Sequence, residues 1–233
     1  MSLLEFRGVA LVRPGSVALD AVSFQAEPGD GLAVFGLSGS GKHELLQLAA
    51  GLLLPTRGEI LLADPRPEPR LTVGYVMKEG GLINNLNLLE NVMLPAVYHG
   101  LLSVEEARAK GRDLLGRFGL ARHAALRPAA LGRNARRLTQ IARSLLAAPS
   151  LFVLDDPFDD VDVEGAQMIM DVLEQIRDAR KAVVLVAAGN LGPYMGWAKR
   201  FLWTRRGAVE VFEGRAALKS CADPQLGVFI GEA

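Results

Sequence analysis

The stretch Gly36-Leu-Ser-Gly-Ser-Gly-Lys42 constrains this chain more than any other. It follows an apolar run, Leu32-Ala-Val-Phe35, that reads as a buried strand. It precedes His43-Glu-Leu-Leu-Gln-Leu-Ala-Ala50, which reads as an amphipathic helix ended by Gly51. Strand, glycine loop and helix together make the phosphate-cradling pattern G-x-x-x-x-G-K. Glycines let backbone N–H groups turn inward onto phosphate oxygens, and the helix N-terminus adds partial positive charge. Gly36, Ser38, Gly39, Ser40, Gly41 and Lys42 are therefore the candidate phosphate-binding residues, with Lys42 reaching the terminal phosphates. The pattern continues with a Ser or Thr whose hydroxyl holds Mg²⁺. His43 stands there instead. The open question is thus whether a bound nucleotide is split.

Composition narrows the setting. A chain of 233 residues, 50% hydrophobic and 22% charged, is long enough for a substantial core. Its formal net charge is zero, which implies no broad attraction to nucleic acid or to anionic membrane. A single cysteine, Cys221, cannot form an internal disulfide and fits a reducing compartment as a packing residue. Met1-Ser-Leu-Leu-Glu-Phe-Arg7 carries charge too early for a secretory signal, and no apolar run is long enough to span a bilayer. The expected location is cytoplasmic, with any membrane role exerted through a partner.

The remaining chain reads as alternating element types. Leu3–Val12 and Val17–Phe24 pattern as strands, joined by the Pro14-Gly15-Ser16 turn. Glu59–Leu62 and Val73–Met77 are further short strands, separated by the proline-rich connector Asp64–Pro69. From about residue 82 the spacing becomes helical, over Asn91–Tyr98, Ser103–Phe118 and Arg133–Ala148. Ser103 with Glu106 is a capping box. Strands return at Leu151–Leu154 and Val183–Val186, around a helix over Val163–Asp178. Phe201–Trp203 and Val209–Phe212 flank Arg205-Arg206-Gly207 as a hairpin. The expected architecture is a single α/β domain over residues 1–233. It has a P-loop NTPase (RecA-like) core, an N-terminal antiparallel β layer and a helical subdomain at about residues 82–146.

Leu151-Phe-Val-Leu-Asp155-Asp156 is an apolar strand ending in two carboxylates. In a phosphate-loop protein such a strand places Asp155 to hold Mg²⁺ through water. The order of these motifs resembles the ATP-binding subunits of ABC transporters. Thr56-Arg-Gly-Glu-Ile60, Leu89-Glu-Asn-Val92, Ile141-Ala-Arg-Ser-Leu-Leu146 and Asp155-Asp-Pro-Phe158 fall where that family has matching words. Asp155-Asp-Pro-Phe158, Gly74-Tyr-Val76 leading into Gly80-Gly-Leu-Ile-Asn-Asn-Leu86, and the tail Gln225–Gly231 are similar to the Mla-type lipid-trafficking ATPases of bacterial envelopes. Arg13 stands where the family's adenine-stacking aromatic would be.

That resemblance implies roles for particular residues, and several depart from the family pattern. The Q-loop glutamine falls on Lys78. The signature that caps a partner's ATP falls on Leu131-Gly-Arg-Asn-Ala135. The catalytic glutamate falls on Asp156, and the switch histidine falls on Ala188 in Ala187-Ala-Gly189. The D-loop aspartate is kept as Asp162. Imidazole is a poor substitute for the hydroxyl that Mg²⁺ prefers. Asp156, one methylene shorter than glutamate, would hold an attacking water about 1.5 Å too far back. A misplacement near 1 Å can cost on the order of 10²-fold. Ala188 offers the γ-phosphate no hydrogen bond. Arg133 and Asn134 replace glycines and keep the signature backbone away from a partner's phosphate. Lys78 adds a cation near the terminal phosphates, and its ammonium could stand in for part of the Mg²⁺ charge.

The implied ligands are ATP and, less well served, Mg²⁺. The implied partners are a transmembrane permease, received near Lys78 and residues 82–100, and a second ATP-binding subunit, like or unlike this one. Both halves of the composite ATP site are altered here, so neither pairing restores a complete one. Three readings stay open. One is a pseudo-ATPase transport subunit, with lipid trafficking as its transport role, that binds ATP with weak or absent hydrolysis. Another is a slow ATPase using Lys42 and Asp156. The last is a soluble ABC-type scaffold without a permease. Plainer roles are expected for other residues. His43 is read as a solvent-facing residue at a helix start, and His99 and His123 as surface residues without ligand spacing. Arg133, Arg136, Arg137 and Arg143 are read as a solvated face or a subunit contact. Asp160 or Asp162 is read as a helix N-cap, and Trp197 and Trp203 as packing.

Overall fold

Two sheets divide the strands between them. The smaller one is antiparallel and built from β1 (Leu4–Arg13), β2 (Ser16–Ala26) and β4 (Arg57–Leu62), in the order β2-β1-β4. The larger has six strands: β5 (Val73–Val76), β6 (Leu151–Asp155), β7 (Val183–Ala188), β3 (Gly31–Phe35), β8 (Arg200–Arg205) and β9 (Ala208–Glu213), in that order. All pairs in it are parallel except β8 with β9, which close as the expected hairpin. This computed structural model describes residues 2–14, 16–63, 73–79, 81–179 and 182–230. The connector Asp64–Pro69 and the turn residue Gly15 lie outside them.

The central strands are buried on both faces, which is why they read as continuous apolar runs rather than as alternations. Side chains of β3 diverge in turn. Leu32 and Val34 pack with Leu45, Leu46 and Leu48 of α1 (Lys42–Ala49) and with the small sheet. Ala33 and Phe35 join the opposite core, where helices cover the sheet. Strands β6 and β7 alternate the same way, with Leu151 and Val153 against Phe152 and Leu154.

The helical block holds α2 (Leu88–Tyr98), α3 (Val104–Arg117) and α4 (Arg133–Leu146), which pack on one another. Helix α2 begins earlier than its hydrophobic spacing suggests. Asn87 caps it, with Glu90 completing a capping box, and the buried Asn91 amide holds the Ile83 and Leu86 carbonyls. Ser103 and Glu106 cap α3 as expected. Asp162 caps α5 (Val163–Asp178), accepting from the Gly165 N–H. Two short helices, α6 (Gly214–Ser220) and α7 (Gly227–Ile230), follow β9. Trp197 and Trp203 are buried, and Cys221 packs at the edge of the core.

Candidate functional site

The parallel strands β3, β5, β6 and β7 deliver their carboxyl ends to one edge of the large sheet, the place where open α/β sheets bind ligands. The glycine loop leaves β3 there and feeds α1. Its backbone demands glycine at two points. Gly36 has φ +151° and Gly41 φ +100°. A β-carbon on Gly36 would run into Thr204, and one on Gly41 into the Ala18 carbonyl. Gly39, at φ +74°, opens onto free space. Gly41 caps α1 without a side chain, so the first helical N–H groups keep their donors for an anion.

Lys42 is buried, and its ammonium donates to the Gly36 carbonyl at 2.6 Å and to the Leu37 carbonyl at 3.0 Å. Burial holds its pKa below the ordinary lysine value. Ser38 is exposed on the loop. Ser40 turns inward, 2.6 Å from the Thr204 hydroxyl, which in turn donates to the Phe35 carbonyl at 3.0 Å. Ser40 therefore offers an anion its backbone rather than its side chain. Thr204, far away in sequence on β8, is a loop-shaping residue that no local pattern announces. These backbone donors, the helix start and an enclosed ammonium fit a phosphate group.

His43 does not face solvent alone. Its Nδ1 lies 2.7 Å from both carboxylate oxygens of Asp155, toward which an Nδ1–H would donate. Burial raises the Asp155 pKa, with the His43 charge and hydrogen bond opposing that rise. A nitrogen donor against both Asp155 oxygens does not fit the all-oxygen shell that Mg²⁺ takes through a hydroxyl and this carboxylate.

Lys78 also differs from expectation. Instead of standing free for phosphate, its ammonium lies 2.8 Å from Asp156 Oδ2 and 3.3 Å from Asp159 Oδ2. The hydrogen bond to Asp156 holds the Lys78 pKa above the ordinary lysine value. Asp156 has φ +45°, and its N–H donates to the Ala187 carbonyl at 3.1 Å. Ala188 completes β7 as a buried residue with no polar side chain to add.

Two of the α4 arginines are structural, not solvated. Arg137 is 4% exposed and donates to the Met77 and Lys78 carbonyls, the former at 2.6 Å. Half-buried Arg143 donates to the Gly81 carbonyl. Together they fix the segment that carries Lys78. Burial lowers the pKa of both. Arg136 is exposed as expected.

The signature segment opens α4, with Gly132 as its N-cap. Arg133 reaches Asp160 Oδ1 at 3.0 Å, and Asn134 Nδ2 donates to Asp162 Oδ2 at 2.6 Å. Both side chains are thus tied to the segment preceding α5. Phe158 stacks on Tyr194 at 5.2 Å between ring centroids, which accounts for an aromatic after Pro157. Arg13 ends β1 and pairs with Glu44 of α1 at 3.2 Å. His99 is exposed as expected, whereas His123 is half-buried with its Nδ1 enclosed.

Residues 19–159 match the ABC transporter family, and this chain belongs to it. It is 33% identical to the phosphonates import ATP-binding protein PhnC of Nocardia farcinica, over 87% of this chain and 81% of that one. It is 33% identical to the lipoprotein-releasing system ATP-binding protein LolD of Gluconobacter oxydans, over 76% of this chain and 82% of that one. The dimeric structure of a bacterial ABC transporter cassette superposes with a TM-score of 0.80 at 26% identity, covering 89% of this chain and 96% of that one. The α/β core and antiparallel layer are thus those of an ABC cassette.

Proposed function

We propose that the chain is the nucleotide-binding subunit of an ABC transport system that holds ATP with weak or absent hydrolysis. The observation carrying this reading is the Lys78–Asp156 ion pair at 2.8 Å. Backbone N–H groups of residues 36–42, the start of α1 and the Lys42 ammonium would bind the phosphates. Lys42 would move from the Gly36 and Leu37 carbonyls onto them. Asp156 would be the base that takes a proton from water, but its carboxylate is already neutralised by an ammonium. A carboxylate that is both short and ion-paired is a poor base.

Two further observations support the reading. The signature side chains Arg133 and Asn134 are occupied within their own chain. Ala188 supplies no hydrogen bond where charge would develop. The partner reading is a second ATP-binding subunit, as in the dimeric cassette, and a membrane permease. The permease would enter a cleft of about 340 Å³ that Lys78, Leu82, Asn84 and Arg136 help line. Among the described residues no helix is long and apolar enough to cross a membrane. That agrees with peripheral attachment to the inner membrane from the cytoplasmic side. Lipid trafficking is the cargo reading, supported by the Mla-like words and by the similarity to LolD.

The test is nucleotide binding measured beside steady-state ATPase on purified protein, with Lys42→Ala and Asp156→Ala as controls. ATP binding that is lost in Lys42→Ala, without turnover, supports the reading. Turnover at ordinary enzyme rates that vanishes in both variants establishes an active ATPase instead. A protein that binds nucleotide but captures no membrane partner is a scaffold.

A further inference from the structure

A ring nitrogen of His43 and one carboxylate oxygen each from Asp155 and Asp156 all lie within 4.8 Å of one another. Asp155 is buried at the end of β6, and His43 lies in the first turn of α1, so regular elements carry two of the three donors. Ligand atoms around a transition metal held at about 2.1 Å stand roughly 3–4 Å apart. To admit an ion, the 2.7 Å contact between His43 and Asp155 would open slightly while the wider separations, within 4.8 Å, close onto the metal. Asp156 accepts from Lys78 through Oδ2, and a carboxylate has a second oxygen to offer an ion. The Lys78 side chain is 42% exposed and free to swing outward if the ion takes over its charge.

The donor set decides which ion. Mg²⁺ wants oxygen in near-ideal octahedral geometry and sheds water reluctantly. Imidazole with carboxylates suits zinc, cobalt and nickel, which bind nitrogen far better. We propose that His43, Asp155 and Asp156 form a site for a divalent transition-metal ion of the zinc, cobalt and nickel class, selected over Mg²⁺. Three protein donors leave coordination positions open to water or to an anionic oxygen. The site shares its location with the nucleotide reading, and it is tested first without nucleotide.

The experiment titrates tag-free full-length protein with Co²⁺ in millimolar Mg²⁺, followed by visible absorption, and measures Zn²⁺ binding by equilibrium dialysis. His43→Ser and Asp155→Asn are run in parallel, with thermal melts to establish that each is folded. The expected result is Co²⁺ and Zn²⁺ binding at least tenfold tighter than Mg²⁺. His43→Ser should lose tenfold or more of the Zn²⁺ affinity while keeping its response to Mg²⁺, and Asp155→Asn should lose both. No preference over Mg²⁺ overturns the proposal. So does Zn²⁺ affinity unchanged in His43→Ser, which would place the ion on other residues. ATP binding measured in Mg²⁺ with no transition metal then separates the two claims. Loss of ATP binding with intact Zn²⁺ binding defeats the nucleotide reading and leaves the metal site standing.

Discussion

The Lys78 ammonium lies 2.8 Å from Asp156 Oδ2, although the two residues belong to loops after different strands. The pair joins the position expected to sense the terminal phosphate to the position expected to activate water. Asp156→Glu alone lengthens the base but leaves it paired. Lys78→Gln alone frees a base that is too short. The double variant removes both faults. We expect ATPase activity to rise on the order of 10²-fold in the double variant and by much less in either single one. Steady-state phosphate release checks this. Equal activity in all forms would show that the pair does not limit turnover.

Arg137 reaches from α4 to the Met77 and Lys78 carbonyls while almost fully buried. Arg137→Met keeps the side-chain bulk and leaves those carbonyls without their charged donor. A loss of roughly 2–3 kcal/mol is expected, as for a buried charge-assisted hydrogen bond. Denaturant unfolding measures it. The same change on exposed Arg136 should lie within about 0.5 kcal/mol of wild type.

Thr204 links Ser40 to the Phe35 carbonyl at the start of the glycine loop. Thr204→Val preserves shape and strands both partners in a buried setting. The expected loss is about 1–3 kcal/mol, together with weaker nucleotide binding, since the loop backbone is then less firmly held. Thr204→Ser retains the hydroxyl and should recover most of both. Calorimetry of nucleotide binding and thermal melting read the two effects separately.

Glu106 closes the α3 capping box with Ser103, and the backbone hydrogen bond from Ser103 holds its pKa below the ordinary value of 4.5. A depressed carboxylate contributes stability that is fully present above 4.5 and is lost as pH falls through the folded value. Acid should therefore fray the first turn of α3 only as pH falls below 4.5 and through the lowered folded value, and Glu106→Gln should remove that step. Hydrogen exchange at the first amides of α3, followed against pH, tests the direction.

Much of the architecture was legible because it is local. An apolar run, a glycine loop and an amphipathic helix are neighbours in sequence, and their geometry follows from backbone sterics and hydrogen bonding. Asp162 as an N-cap and Ser103 with Glu106 were legible for the same reason: each bonds within its own first helical turn. The hairpin of β8 and β9 followed from its turn residues.

What the tertiary structure alone decided is which side chains meet. By its sequence His43 is one more residue at a helix start, but β6 brings Asp155 to within 2.7 Å of it. Lys78 could have pointed at phosphate, but the loop after β6 presents Asp156 and Asp159 to it. Arg137 and Arg143 belong to a charged series that reads as solvated, yet the strand end at Met77 lies against α4 and buries them. The physical reason is common to these cases. A side chain's charge and reach are written at its own position, whereas its partner comes from a distant strand whose placement is set by how the whole sheet buries its two faces.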